Sequence, residues 1–238
     1  MQSVAVAIIC KTPQPRQSKT RLSPPLGLDE CAAISACFIS DLGSTIAGLE
    51  HPAARPCAVY TPEGSEPLLI SILPGFALIP QGVGDLGARL AKGIADLLAA
   101  GHAGAILINS DSPTLPASIL DAAIKAVLTG DHMVIAPAFD GGYTLIGLSH
   151  MHARLFEDIP WSTATVFEMT MARAREISLP AVVLDMWFDV DDARSYAMLE
   201  EELAGRPPQF ARPGLVVQDA PATRRFVEQR RPAAMAAQ

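Results

Sequence analysis

The chain has 238 residues, half of them apolar and 18% charged, with a formal net charge of −7. That composition supports a sizeable core and excludes global disorder, and the negative balance argues against a general nucleic-acid or membrane-surface binder. Four cysteines with no CxxC pair exclude a zinc ribbon and read as reduced, packed thiols.

The first element is the apolar run 4–9, continuous enough for a strand buried on both faces. It is too short to span a membrane and has no basic segment before it, so a cytoplasmic location with no membrane span is expected. Residues 11–27, KTPQPRQSKTRLSPPLG, then concentrate four cations and several prolines in an acidic chain. A solvated basic loop would account for the charge, whereas a phosphate-binding loop would account for both charge and position.

Helical periodicity covers 28–49, 85–100, 116–129 and 162–177, and strands are expected at 56–60, 76–79, 104–109, 132–136, 143–148 and 181–185. Asp85 suits an N-cap, Ser162 or Thr163 another, and Gly101 suits a C′ position. Strand and helix in alternation imply an α/β fold, a mainly parallel sheet covered on both faces, with binding groups after the strand ends. Residues 1–204 read as the catalytic domain. From Gly205 to 238 a Pro/Arg/Ala-rich extension follows, its last residues expected to be mobile.

Polar groups do follow the strands. After 104–109 comes NSDSP, where Asp111 either meets a divalent cation beside phosphates or caps the next helix. FDVDD at 188–192 sends Asp189 and Asp191 to one face if extended, where they could complete a metal site with Asp111, or else Asp191 or Asp192 caps the following helix. DGGY at 140–143 is either a hairpin turn or a substrate loop, with Asp140 positioned to contact a sugar hydroxyl or act as a base. PQGVGDLGARL at 80–90 brings glycines to a helix start without being GxGxxG, so a Rossmann cofactor is disfavoured. The histidines form no triad or ligand pattern, and neither a GxSxG elbow nor a Walker loop is present.

In order, KTPQPRQSKTRLSPPLG, PQGVGDLGARL, NSDSPTLP, APAFDGGYTLIGL, IPWST and FDVDD resemble the bacterial glycosyltransferase-like proteins of the selenium- or arsenosugar-associated type. These belong with the GT-A nucleotide-diphospho-sugar transferases, and the likeness covers about 4–203. It implies a GT-A-like three-layer sandwich and a transferase that uses a nucleotide sugar, an acceptor the sequence does not specify, and Mg²⁺ or Mn²⁺. It implies that Lys11, Lys19 and Arg21 bind donor phosphates, with Gln81, Gly82, Asp85 and Arg89 near the nucleotide. Asp111 would take the metal with Asp189 and Asp191, while Asp140, Gly141, Gly142 and Tyr143 face the acceptor and Trp161, Ser162 and Thr163 line the same cleft. Arg16 stands where the family commonly has glycine, either as a further phosphate contact or as a sign of a different bend, and Ser18 replaces a small apolar residue. The Lys-Thr-Arg-Leu element also resembles that of 2-phospholactate guanylyltransferases, so nucleotidyl transfer from a nucleoside triphosphate is the alternative. No nucleic-acid partner is expected, and a homodimer is compatible with the sequence.

Overall fold

The computed structural model describes residues 2–236, with side chains described through Arg230. Seven strands, β1 (Val4–Lys11), β2 (Ala54–Thr61), β3 (Ala77–Pro80), β4 (Gly104–Asn109), β5 (Met133–Pro137), β6 (Tyr143–Leu148) and β7 (Ala181–Val183), form one sheet. Its order is β3-β2-β1-β4-β6-β5-β7. Only β6 runs against its neighbours, pairing antiparallel with β4 and β5. The central β1 is buried because it lies between β2 and β4, with Ala7 opposite Cys57 on one side and Leu107 on the other.

Seven helices cover the sheet: α1 (Leu28–Ala47), α2 (Glu66–Ile72), α3 (Leu86–Ala99), α4 (Ala117–Val127), α5 (Val166–Glu176), α6 (Ala193–Leu203) and α7 (Pro221–Ala236). Alternate residues of β1 serve opposite layers, as the period of a strand requires. Val4, Val6 and Ile8 join Ile34, Phe38 and Leu42 of α1, Ile119 and Leu120 of α4, and Tyr196 and Leu199 of α6. Ala5 and Ala7 join Leu90, Ile94 and Leu97 of α3 and Ala174 of α5. By length and composition α1 could cross a membrane, yet its apolar side is spent on this core. The four cysteines are free thiols, three of them buried.

Several boundaries differ from the sequence reading. The fourth expected helix begins at Val166, not 162, because Ser162 takes a left-handed φ of 63° and Thr163 Oγ1 turns back to donate to Pro160 O at 2.7 Å. The short α2 escaped periodicity because seven residues hold too few turns. Residues 137–143 do close a hairpin between β5 and β6, with Ala138 N donating to Gly142 O at 2.9 Å. Gly101, at φ 94°, follows α3 in the C′ conformation expected of it.

The extension after Gly205 packs on the core through Phe210, Leu215, Val217, Ala220 and Val227. Phe210 stacks on Phe139 with ring centroids 4.8 Å apart and lies edge-on to Trp187 and Phe188. Helix α7 docks on α1 through Asp41, which is 2% exposed and accepts from Ala222 N at 2.9 Å and Thr223 N at 2.8 Å. Two otherwise unmet amides of a helix start thus meet a buried carboxylate, each partner resolving the other's cost. Arg230 adds an ion pair to Glu30 at 2.8 Å. The final residues expected to be mobile lie outside those described.

Candidate functional site

The carboxyl ends of β1, β4, β5 and β7 reach one edge of the sheet, and β6 begins there, so the loops after them meet. They enclose a cleft of about 400 Å³ lined by Lys11, Gln81, Arg89, Asp111, Asp140, Gly142, Tyr143, Trp161, Ser162, Thr163, Asp189 and Asp191, among others. A smaller polar cavity, which shares Lys11, Ser110, Asp111 and Asp191 with that cleft, carries Lys19 and Arg21. Six motifs spread over 180 residues therefore converge.

At the junction stands Lys19. Its Nζ lies 2.7 Å from Asp111 Oδ2 and 2.5 Å from Asp191 Oδ1, and donates to Val190 O at 2.9 Å. Burial alone would lower its pKa, but the two carboxylates outweigh burial and raise it. Local structure fixes the residue: Lys19 takes φ 51° at the head of the short 3-10 turn Thr20–Leu22, whose Leu22 is buried in the core. Ser18, itself buried, accepts from Gln14 N at 2.9 Å and closes the preceding bend. Arg21 donates to the other Asp191 oxygen at 2.7 Å.

The acidic side is divided by role. Asp192, not Asp191, caps α6, accepting from Ser195 N at 2.8 Å. Asp111 caps nothing, since α4 starts behind Pro116. Burial pulls the Asp191 carboxyl up, but Lys19 and Arg21 hold it below the usual range. Asp189 has no ion pair among the described residues, and burial, then Asp140, Asp191 and Asp111, push it up to about 7. Val190, between the two, is fully buried and donates its N–H to Asp111 O at 2.9 Å, which ties the two acidic segments together.

Among the described residues no three His, Cys, Asp or Glu side chains form a ready metal cage. Mg²⁺ typically takes one or two carboxylates and completes its shell with phosphate and water. Asp189, pushed toward protonation by burial and then by the neighbouring carboxylates, together with Asp111, is a donor set of that kind. The residues fit a cation that arrives with phosphates, and not one held by protein alone.

Other expected residues sit differently. Gln81 is buried, and its amide donates to Cys10 O at 2.8 Å and Val59 O at 3.1 Å, so it braces β1 and β2 beneath the cleft floor. Asp85 caps α3, accepting from Ala88 N at 2.8 Å, and neither it nor Gly82 lines the cleft. Arg89 Nε donates to Gly84 O at 2.9 Å, which leaves its terminal nitrogens for the cleft. Arg16 points away, 73% exposed and 3.5 Å from Asp29, while its φ of 60° keeps the backbone shape that glycine adopts without strain. Gly141 is also outside the lining. At φ 95° a Cβ there would sit 2.1 Å from Ala164 O, so the hairpin tip can abut the loop before α5 only without a side chain. Asp140 Oδ1 accepts from Gly142 N at 2.8 Å, which fixes the carboxylate at the cleft. Tyr143 packs edge-on to Trp161, centroids 6.5 Å apart.

Sequence reasoning passed over Thr61, Asn109 and Ser110, all in the lining. Each stands at or just past a strand end, and that position was the available signal. Ser110 Oγ donates to Asp111 Oδ1 at 3.1 Å.

Residues 45–163 match the sequence profile of a family described as uncharacterized proteins conserved in bacteria (DUF2064). No curated protein matches the chain. Among solved structures, one from Desulfovibrio desulfuricans G20, provisionally named a nucleotide-diphospho-sugar transferase, is similar at 26% identity, with 98% of this chain and 96% of that one covered and a TM-score of 0.82. A CMP:2-keto-3-deoxy-manno-octonic acid synthetase complexed with CTP shares the fold at 8% identity, with 86% and 99% covered and a TM-score of 0.57. A cytidylyltransferase from Leptospira borgpetersenii does so at 11% identity, with 99% and 96% covered and a TM-score of 0.54. The fold is that of the nucleotide-diphospho-sugar transferases.

Proposed function

We propose that this chain, which belongs to the DUF2064 family, is a metal-dependent transferase that moves a sugar from a nucleoside-diphosphate sugar to an acceptor hydroxyl. The observation that carries the reading is the meeting of Lys19 and Arg21 with Asp111, Asp189 and Asp191 at the open end of the sheet. The provisional name of the Desulfovibrio structure agrees with it. The order of the motifs, which resembles that of the selenium- or arsenosugar-associated type, supports the reading.

Lys11, Lys19 and Arg21 would hold the donor diphosphate, with Lys19 exchanging part of its carboxylate contact for phosphate oxygen. Arg89 would meet the nucleotide from the start of α3. Asp111 and Asp189 would hold Mg²⁺ or Mn²⁺, which when bound supplies positive charge at the leaving diphosphate. Preorganised charge of this sort is the dominant stabilisation when a phosphate leaves. Asp140 would accept the acceptor's hydroxyl proton as the new carbon–oxygen bond forms and the bond to the diphosphate breaks. Trp161, Ser162, Thr163 and Tyr143 would wall the cleft on the side of α5.

A second reading is nucleotidyl transfer, since the sheet matches a cytidylyltransferase over nearly the whole of both chains. Incubation with nucleotide sugars and nucleoside triphosphates, with and without Mg²⁺ or Mn²⁺, separates the two. Release of nucleoside diphosphate from a sugar donor is expected, and pyrophosphate release would select the second. In parallel, Asp111→Ala should abolish metal-dependent nucleotide binding, and unchanged affinity would overturn the site.

A further inference from the structure

A second cavity, of about 320 Å³, adjoins the donor cleft at Asp140, Asp189 and Asp191. Those three carboxylates line both spaces. The rest of its wall comes from Arg21, Phe139, Phe188, Arg194 and the first turns of α6, and of these only Arg21 belongs to the donor site described above. Its size lies at the lower end of the range for small-molecule sites, roughly 300–1,000 Å³.

Charge in this cavity is unevenly spent. Asp191 is already met by Lys19 and Arg21, and Asp192 is occupied in capping α6. With Asp189 assigned to the cation, Asp140 remains as the acceptor, and Arg194 remains as a cation with no ion pair among the described residues. The Arg194 guanidinium lies 5.6 Å from the centre of the Phe139 ring, and Phe139 stacks in turn on Phe210. Phe139 is 43% exposed. A cation over an aromatic face is held there by the ring, and a guanidinium fork suits a planar or tetrahedral anion.

We propose that this cavity is the acceptor subsite, and that it takes a small hydroxylated anion, a hydroxy-carboxylate or a phosphate monoester, with its hydroxyl at Asp140 and its anionic group on Arg194. The assignment rests on the transferase reading for its name but on its own geometry for its ligand. An acceptor seated here reaches the donor cleft across Asp140, the one residue that both spaces need for the proton. The aromatic pair Phe139–Phe210 also gives the C-terminal segment a function, since it supports the ring on which Arg194 rests.

The test is binding to the nucleotide-free protein, so that it does not depend on the donor. Glycerate and glycerol phosphate are titrated against glycerol, their neutral counterpart, by calorimetry or ligand-observed NMR, with wild type, Arg194→Ala and Arg194→Lys. An anion is expected to bind the wild type about tenfold or more tightly than glycerol, and to lose that margin in Arg194→Ala. Which anion binds more tightly identifies the carboxylate or the phosphate class. Arg194→Lys should recover only part, because a lysine lacks the fork. Equal affinity for glycerol, or anion binding that survives Arg194→Ala, overturns the proposal. Nucleotide binding, measured separately, should be unchanged in Arg194→Ala. Its absence from the wild type would refute the donor reading and leave the anion result to be judged alone.

Discussion

Lys19→Met removes the cation that Asp111 and Asp191 share while keeping an unbranched side chain one atom shorter. Lys19 is 9% exposed along its side chain, and the two carboxylates are 26% and 31% exposed. Removing one member of a fully buried ion pair costs about 3–5 kcal/mol, because the other charge stays behind. Here water reaches both carboxylates and Arg21 still holds Asp191, so the loss should be about 2–3 kcal/mol at neutral pH. Lys19 depresses the pKa of Asp191. The stabilisation is therefore present above the unfolded carboxylate value, about 3.9, and is lost as pH falls through the lower folded value. The pKa of Lys19 is raised, so its contribution is complete below its unfolded value of about 10.4 and is lost only above the folded one. Urea unfolding of both proteins from about pH 3 to pH 9 should show a constant gap at neutral and mildly alkaline pH that closes in acid. A loss below about 0.5 kcal/mol at neutral pH, or a gap that persists unchanged in acid, would refute the argument.

Three further outcomes are expected. Glu202 is buried with neither carboxyl oxygen in a regular hydrogen bond, and burial pushes its pKa up to about 7, offset only in part by Thr114. A raised carboxyl pKa gives stability that is complete below its unfolded value and lost as pH rises through the folded one. Glu202→Gln should therefore gain roughly 2–3 kcal/mol over wild type near pH 8 and little near pH 4, and a pH-independent difference in urea unfolding would sink this account. Asp41→Ala should cost about 2–3 kcal/mol and speed amide exchange at Ala222 and Thr223, because both amides lose a charged acceptor; unaltered exchange there would contradict the docking. Arg16→Gly relieves a left-handed backbone worth about 1–2 kcal/mol and gives up an exposed pair worth about 0–1 kcal/mol, so its unfolding midpoint should be no lower than wild type. A clear drop would mean that the arginine holds the loop.

Much of the fold was legible because buried parallel strands announce themselves. Residues 4–9 and 104–109 are continuous apolar runs, and in the sheet they are the adjacent central strands. Their positions told where loops must gather, and so Asp111, Asp140 and the 11–21 cations could be named from strand ends. Gln81 also follows a strand and lines the cleft, but its amide serves the backbone of β1 and β2. The hairpin and substrate-loop readings of DGGY proved compatible, since a hairpin tip can itself line a cleft. The packing of the C-terminal extension was illegible because its proline-rich composition carries no periodic apolar pattern, and only Phe139, Trp187 and Phe188 show what Phe210 packs on.

The sequence by itself determined which segments would be strands, which loops would be charged, and that one edge would carry the chemistry. Those are local matters, settled by periodicity, turn residues and the cost of burying a carboxylate at a strand end. Only the tertiary structure decided that Lys19 stands between Asp111 and Asp191, that Asp192 takes the helix cap, and that Arg194 is left with an aromatic ring and no ion pair. Pairings between residues some 170 positions apart depend on how the layers close, and no spacing along the chain encodes them.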